Sequence, residues 1–253
     1  NAGRSQVMSR ELLDTIPTGG QVWQVGFTVP GVVQVGRSDV GGAGGIQQTR
    51  MSAHGSTISD TTTELDGMET NSMHGWAQSS QYWNDAAIQE MAFQTSNLSA
   101  ESQTGGILLN LIPQQGGNQF RGAADARTIP GTGFQGNNMT PELRALGVNT
   151  PNKVIRLHDY SFSIGGPIRR DNLWFFTSVR YQEGDTQAQD VRYPEDNNAK
   201  TISARLTWQP QTRNKLTFFY EDTKKTKGHE TAAPFVAEEA ANMRGGQHHY
   251  HVA

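Results

Sequence analysis

The chain has 253 residues, 28 of them Gly and none Cys, with 21 Lys and Arg against 24 Asp and Glu for a net charge of −3. The absence of Cys excludes disulfides, thiolate metal centres and thiol nucleophiles, and the near-balanced charge argues against a mainly electrostatic nucleic-acid binder. No run reaches the ~18 apolar residues of a transmembrane helix, which leaves a membrane β-barrel open, since its signal is alternation rather than a long apolar run.

Residues 9–16 place Leu12, Leu13 and Ile16 at helical spacing, with Ser9 as N-cap and Pro17 as terminator. A second short helix is expected from Gln21 to Val29, stopped by Pro30-Gly31. Thr61 to Leu65 reads as a strand, and Asp66-Gly67 as a tight turn into a return strand from Met68 to Asn71. Ala86 to Thr95 is β-like. Gly105 to Ile112 is a continuous apolar run suited to a strand buried on both faces.

Charge and texture change near Gly116-Gly117. Residues 1–117 carry 4 basic and 10 acidic side chains, whereas residues 118–253 carry 17 and 14. A domain boundary is expected there, with a small α+β domain before it and alternating strands after it. The first strand is expected at Gln119 to Thr128. In the next, Tyr160, Phe162 and Ile164 oppose Ser161 and Ser163. Leu173, Phe175, Thr177, Val179 and Tyr181 oppose Trp174, Phe176, Ser178, Arg180 and Gln182. A second hairpin alternates from Thr201 to Gln209 and from Lys215 to Glu221, and the stretch from Gln247 to Ala253 resembles a strand onset. Short turns (165–172, 210–214) alternate with long polar loops (129–158, 183–199, 222–245). The period suits either a sandwich or an outer-membrane barrel; the loop alternation favours the barrel.

Several motifs, in order, resemble the TonB-dependent outer-membrane receptors, in particular the Oar-like branch that carries a carboxypeptidase-regulatory-like domain upstream. They are Ile16-Pro17-Thr18-Gly19-Gly20 with Pro30-Gly31-Val32, Glu64-Leu65-Asp66-Gly67, Ile88-Gln89-Glu90-Met91, the run Gly105 to Ile112 with Gly116 to Gly122, and the run Gly165 to Phe176. The resemblance implies an α+β plug domain (1–117) followed by antiparallel strands of an outer-membrane β-barrel (118–253). It implies no enzyme activity, and energised import of a scarce ligand driven by a TonB-type inner-membrane complex. Outer-membrane lipid and lipopolysaccharide are the expected surroundings, and no cofactor is expected. Gly105, Gly106, Gly116 and Gly117 would form the plug-to-barrel junction, and Gly165, Gly166 and Pro167 the first periplasmic turn. Barrels of this plugged kind have about 22 strands, and residues after 117 can supply about five or six. The barrel is therefore expected to be incomplete in this chain, as in a plug with its first strands. Two rivals are a non-transporting subunit packing a partial barrel sheet against a partner, and a soluble lectin-like β-protein.

Other motifs read as loop features. Gly131 to Gly136 fits G-x-G-x-x-G, but Pro130 before it and Asn137-Asn138 after it deny the strand and helix that a dinucleotide site needs. Thr140-Pro141-Glu142 opens a short loop helix. His229, His248, His249 and His251 lack carboxylates at ligand spacing. Lys224-Lys225-Thr226-Lys227 reads as a solubilising loop end in preference to the alternative, contact with lipopolysaccharide phosphate. Loop 129–158 and an apex from Met68 to Trp76 are the candidate ligand surfaces.

Overall fold

The computed structural model describes residues 5–36, 46–72, 79, 81–96, 98, 102, 105–131, 133–137, 139–229 and 233–241. The elements run β1 (Ser5–Ser9), α1 (Arg10–Leu13), a 3-10 helix (Val22–Thr28), β2 (Val32–Val35), β3 (Arg50–Ala53), β4 (Thr61–Leu65) and β5 (Met68–Glu69). They continue with β6 (Ile88–Gln94), β7 (Ile107–Pro113), β8 (Arg121–Ile129), α2 (Pro141–Ala145), β9 (Lys153–Arg169), β10 (Leu173–Gln187), β11 (Asn197–Gln211), β12 (Asn214–Lys227) and α3 (Glu238–Ala241).

The first half is built on a five-stranded sheet in the order β1-β6-β7-β4-β5, with β4 parallel to β7 and the other pairs antiparallel. Asp66 and Gly67 both take positive φ, 54° and 83°, the backbone of a two-residue hairpin turn that twists with its strands. Alternate residues of β7 point into a core of Phe93, Leu65, Met91, Trp23 and Trp83, the two tryptophan rings 5.3 Å apart. The residues of β7 between them are half-buried, so this strand is covered unequally on its two faces.

The unequal cover of β7 departs from the expected burial on both faces, and two further expectations for this half need adjusting. The helix starting at Ser9 is four residues long. The chain before it, Ser5 to Ser9, pairs with Gln94 to Glu90 as an edge strand, a contact the local pattern does not encode. Val22 to Thr28 is a 3-10 helix, and Trp23 is buried along with Val22 and Val25.

The second half is a five-stranded antiparallel meander, β12-β11-β10-β9-β8. Strands β9 to β12 have 17, 15, 15 and 14 residues, longer than the ~9–11 that cross a bilayer. The expected loops at 183–199 and 222–245 are correspondingly shorter, since β10 runs to Gln187 and β12 to Lys227.

Gly165, Gly166 and Pro167 are not in a turn. They lie inside β9, paired with Phe176, Phe175 and Trp174. A ladder uses backbone groups, which glycine supplies as well as any residue. The β8 ladder ends at Arg121–Gly165, so Pro167 sits past it, beside β10. The reversal comes at 170–172, with Asp171 at φ 62°. Lys224 to Lys227 likewise sit in β12, with Lys224 exposed and Lys225 buried. The stretch from Gln247 to Ala253 lies outside the described residues.

Burial in this sheet is the reverse of a water-soluble one. Phe162, Val179, Ile202 and Phe218 are exposed, Phe218 by 52%. Ser163, Ser178, Ser203, Thr207 and Thr223 on the opposite face are buried. The apolar flanks do not pack on one another, as a sandwich would require, and the polar flanks pack against the first half, where Phe219 joins its core. Ala204, exposed midway along the outward face of β11, tests which solvent covers that face. In water Ala204→Arg would be nearly neutral. Facing hydrocarbon it is expected to destabilise by about 2–4 kcal/mol, with Ala204→Leu harmless. Denaturant unfolding of vesicle-reconstituted protein measures both.

Candidate functional site

The inward face of the sheet meets the first half through polar and cationic side chains at two levels. At one level, residues 82–84 of the first half are gripped by three strands. Thr201 Oγ1 donates to the Tyr82 carbonyl at 2.6 Å, and Arg180 Nη1 donates to the Trp83 carbonyl at 2.9 Å. Asn84 Nδ2 donates to the Val179 carbonyl at 3.4 Å. Lys225 Nζ donates to Tyr82 Oη at 2.9 Å, lies 4.4 Å from that ring's centre, and also donates to the Ile46 carbonyl.

Arg180 is held in place by a fork-to-fork pair with Asp159 on β9, its Nε and Nη2 at 2.9 and 2.6 Å from the two carboxylate oxygens. Gly20, the last residue of the Ile16-Pro17-Thr18-Gly19-Gly20 motif, has φ 77° and lies on this pair. A Cβ there would collide with the guanidinium groups of Arg180 and Arg127.

At the lower level, Arg205 on β11 pairs with Asp66 in the β4–β5 turn at 2.8 Å and donates to the Pro113 carbonyl at 3.2 Å. Lys215 Nζ donates to Gln115 Oε1 at 2.8 Å. The strands of the second half thus supply the cations, and the first half supplies carbonyls and a carboxylate.

The glycines singled out from sequence divide by surroundings. Gly105 and Gly117 face open space, and Gly106 lies against Asp60 and Ser56. Gly116, Gly165 and Gly166 converge on one spot. A side chain on Gly116 would run into the Phe175 carbonyl, and one on Gly165 into the Phe176 ring and the Gly116 backbone. One on Gly166 would run into the Phe120 ring, which covers it from the outside and lies tilted at 59° to the Phe175 ring, the centroids 6.3 Å apart. The chain entering β8 therefore wraps the sheet's lower rim, inside at Gly116 and outside at Phe120.

The loops at the other end are tied to each other. Asp190 accepts from the backbone N–H of Thr150 at 2.7 Å and of Asn149 at 2.9 Å, which holds its carboxyl below the usual range. Thr140 caps α2 by accepting from the Leu143 N–H at 3.3 Å. Gly131 and residues 133–136 lie in this loop. Contrary to the sequence expectation a strand does precede them, since β8 ends at Ile129, but the next described helix opens only at Pro141, so the helix that a dinucleotide site needs does not follow. His229 Nδ1 lies 2.6 Å from Asp196, and Nε2 lies 3.6 Å from Glu238. His248, His249, His251 and Trp76 lie outside the described residues. Among those described, no cluster is arranged to hold a metal ion.

Arg180, Asp159, Arg205 and Thr201 were not singled out by sequence reasoning, and Asp66 and Lys225 entered it only as parts of a turn and of a basic run. A signal was present: each of these barrel residues shares a strand face with Ser and Thr and opposes an apolar face.

An inward-facing polar sheet wrapped on a small α+β domain is the N-terminal architecture of a plugged outer-membrane β-barrel. No family model matches the chain. Over 143 residues it is 29% identical to the TonB-dependent transporter Oar of Myxococcus xanthus, a match covering 54% of this chain and 13% of that protein. Among solved structures it is similar to the siderophore receptor PirA from Acinetobacter baumannii, at 18% identity and TM-score 0.67, covering 92% of this chain and 33% of that one. A ferric enterobactin receptor mutant (PfeA) from Pseudomonas aeruginosa in complex with enterobactin gives 15% and 0.62, covering 90% and 34%. The outer membrane transporter YddB from Escherichia coli gives 14% and 0.66, covering 88% and 33%. The chain thus has the plug-and-barrel fold of TonB-dependent outer-membrane receptors and a sequence similar to Oar, and it spans about a third of the length of these structures. These relatives are receptors and transporters, not enzymes.

Removing one member of a buried ion pair leaves the other unpaired, at a cost of about 3–5 kcal/mol. Arg180→Ala is expected to fall in that range, and Arg205→Ala, whose partner Asp66 is partly open, below it. Differential scanning calorimetry of the two variants, with Asp66→Asn and the Arg205/Asp66 double variant closing a cycle, reads both. Gly116→Val is expected to block plug seating outright, seen as loss of protease resistance in residues 5–113.

Proposed function

We propose that this chain forms the plug (1–117) and the first five strands (from 118) of a TonB-dependent receptor, which imports a scarce ligand across the outer membrane. A TonB-type inner-membrane complex supplies the energy. Gly116, Gly165 and Gly166 form the tight part of the junction between the two, with Gly105, Gly106, Gly117 and Pro167 flanking it. External loops around 130–152 and 188–196, with the plug apex, capture the ligand. Hydrocarbon solvates the outward face, and lipopolysaccharide is the lipid met at the outer rim.

One observation carries this reading: apart from Phe219, which reaches the plug's core, the barrel wall holds the plug by polar contacts. Buried apolar contacts have no substitute in water, whereas carbonyl and carboxylate contacts to Arg and Lys can be exchanged for water. Such a stopper can be displaced and reseated. The channel it blocks is lined by Ser, Thr, Gln and Arg, which a polar solute can pass.

The test is made on the full-length protein in its outer membrane. Heat-modifiable gel mobility in the membrane fraction is expected, with binding to a TonB periplasmic domain. A second arm replaces Asp66 and Arg205 with cysteines. Cross-linking them should stop ligand-dependent protease exposure of the plug, and reductant should restore it. A protein that fractionates as soluble sinks the barrel. One that sits in the membrane yet ignores TonB points instead to a non-transporting interaction subunit.

A further inference from the structure

On the outward face, the residues paired across four strands at one height are Tyr160, Tyr181, Lys200 and Lys224. Tyr181 is opposite Tyr160 on one side and Lys200 on the other, and Lys200 is opposite Lys224. The next row toward the short turns is Phe162, Val179, Ile202 and Asp222. Together these rows line a depression of about 690 Å³.

Three features of this depression point to one kind of ligand. First, Lys200 and Lys224 are like charges directly opposite on neighbouring strands, an arrangement that destabilises a sheet when nothing lies between them. Both are exposed. Among the described residues neither has an ion-pair partner, and the Lys200 ammonium rests 5.5 Å from the Tyr181 ring centre. Secondly, the floor beside them is apolar and aromatic, and faces hydrocarbon. Thirdly, the row lies toward the end of the strands that carries the long loops, opposite the short turns at 170–172 and 212–213. Tyrosines at that height mark the level where lipid headgroups meet acyl chains.

We infer that Lys200, Lys224 and the tyrosines Tyr160 and Tyr181 bind a phosphate-bearing lipid of the external leaflet, the phosphorylated glucosamine of lipopolysaccharide. The phosphate lies between the two ammonium groups, and the proximal acyl carbons lie over Phe162, Val179 and Ile202. Asp222 sits one step deeper on the same face as Lys224, and it disfavours a second anion there. This rests on the outer-membrane reading proposed above and deepens it.

The full-length protein, extracted in mild detergent, is titrated with diphosphoryl lipid A, with dephosphorylated lipid A and with phosphatidylglycerol, and bound lipid is counted by native mass spectrometry. The wild-type protein is expected to hold diphosphoryl lipid A in preference to both others. Lys200→Gln with Lys224→Gln should weaken it by about 30-fold, the expectation for two surface lysines at an anionic interface. The pair Lys200→Arg with Lys224→Arg should restore it. Equal retention of phosphorylated and dephosphorylated lipid A by the wild type overturns the site without any variant. So does equal affinity of the glutamine variant. Preference for phosphatidylglycerol reassigns the phosphate to a glycerophospholipid and also overturns it. Heat-modifiable mobility is read on the same samples: if it persists while lipid A selectivity is absent, the site fails and the barrel stands.

Discussion

Everything in the second half follows from where its backbone hydrogen bonds are made and what solvent its side chains face. In hydrocarbon an unpaired N–H or C=O costs several kcal/mol, so each segment at that depth must be laddered to a neighbour. The meander β8 to β12 does this on both sides of β9, β10 and β11 and on one side of β8 and β12, over strands of up to 17 residues. Where the backbone is satisfied, the outward side chains can be Phe, Val, Ile and Leu at no cost in lipid. The inward ones are free to be Ser, Thr, Arg and Lys, because the plug and its carbonyls receive them. A water-soluble sheet would put the same two faces the other way round. The exposure of Phe162, Ile202 and Phe218, together with the burial of Ser163, Ser203 and Thr223, is therefore one fact rather than two.

The plug depends on the same constraint from the other side. Its own sheet has a conventional core around Phe93, Leu109 and Trp83, to which the barrel adds Phe219. What it lacks is partners for the carbonyls at Tyr82, Trp83 and Pro113, and for the Asp66 carboxylate. Thr201, Arg180 and Arg205 supply them. Arg180 can serve because Asp159, on the neighbouring barrel strand, neutralises it first. The Nη1 amino group then remains free of that pair and points an N–H at the plug. A lysine at that position would lose the fork and with it the fixed direction of the third donor.

Local pattern located what local chemistry determines. The strand Thr61–Leu65, the Asp66-Gly67 turn and the alternation in β10 to β12 were all legible, since each is set by residues close in sequence. What was illegible depended on distant partners. Ser5–Ser9 is a strand because β6 lies beside it. Gly165-Gly166-Pro167 carries the strongest turn signal in its region, yet a ladder to residues 174–176 overrides it. Lys225 sits in a basic run that reads as solvated until Tyr82, far away in sequence, is placed over it. Arg205 and Asp66 carry no mutual signal at all.

Apart from Phe219, which joins the plug's core, the contacts between plug and wall are of two physical kinds, and the difference bears on how such a stopper can work. At 82–84 and at Asp66 they are hydrogen bonds and ion pairs, which water can replace one at a time. At Gly116, Gly165 and Gly166 they are backbone against backbone and ring against glycine, with no polar side-chain atom for water to replace. Contacts of the second kind are lost all together or not at all. They also lie where the covalent chain passes from plug to wall, so separation there is limited by the few residues between β7 and β8 in any case. The tight packing therefore coincides with the point that chain connectivity already holds, and the exchangeable polar contacts occupy the part of the interface that is free to open.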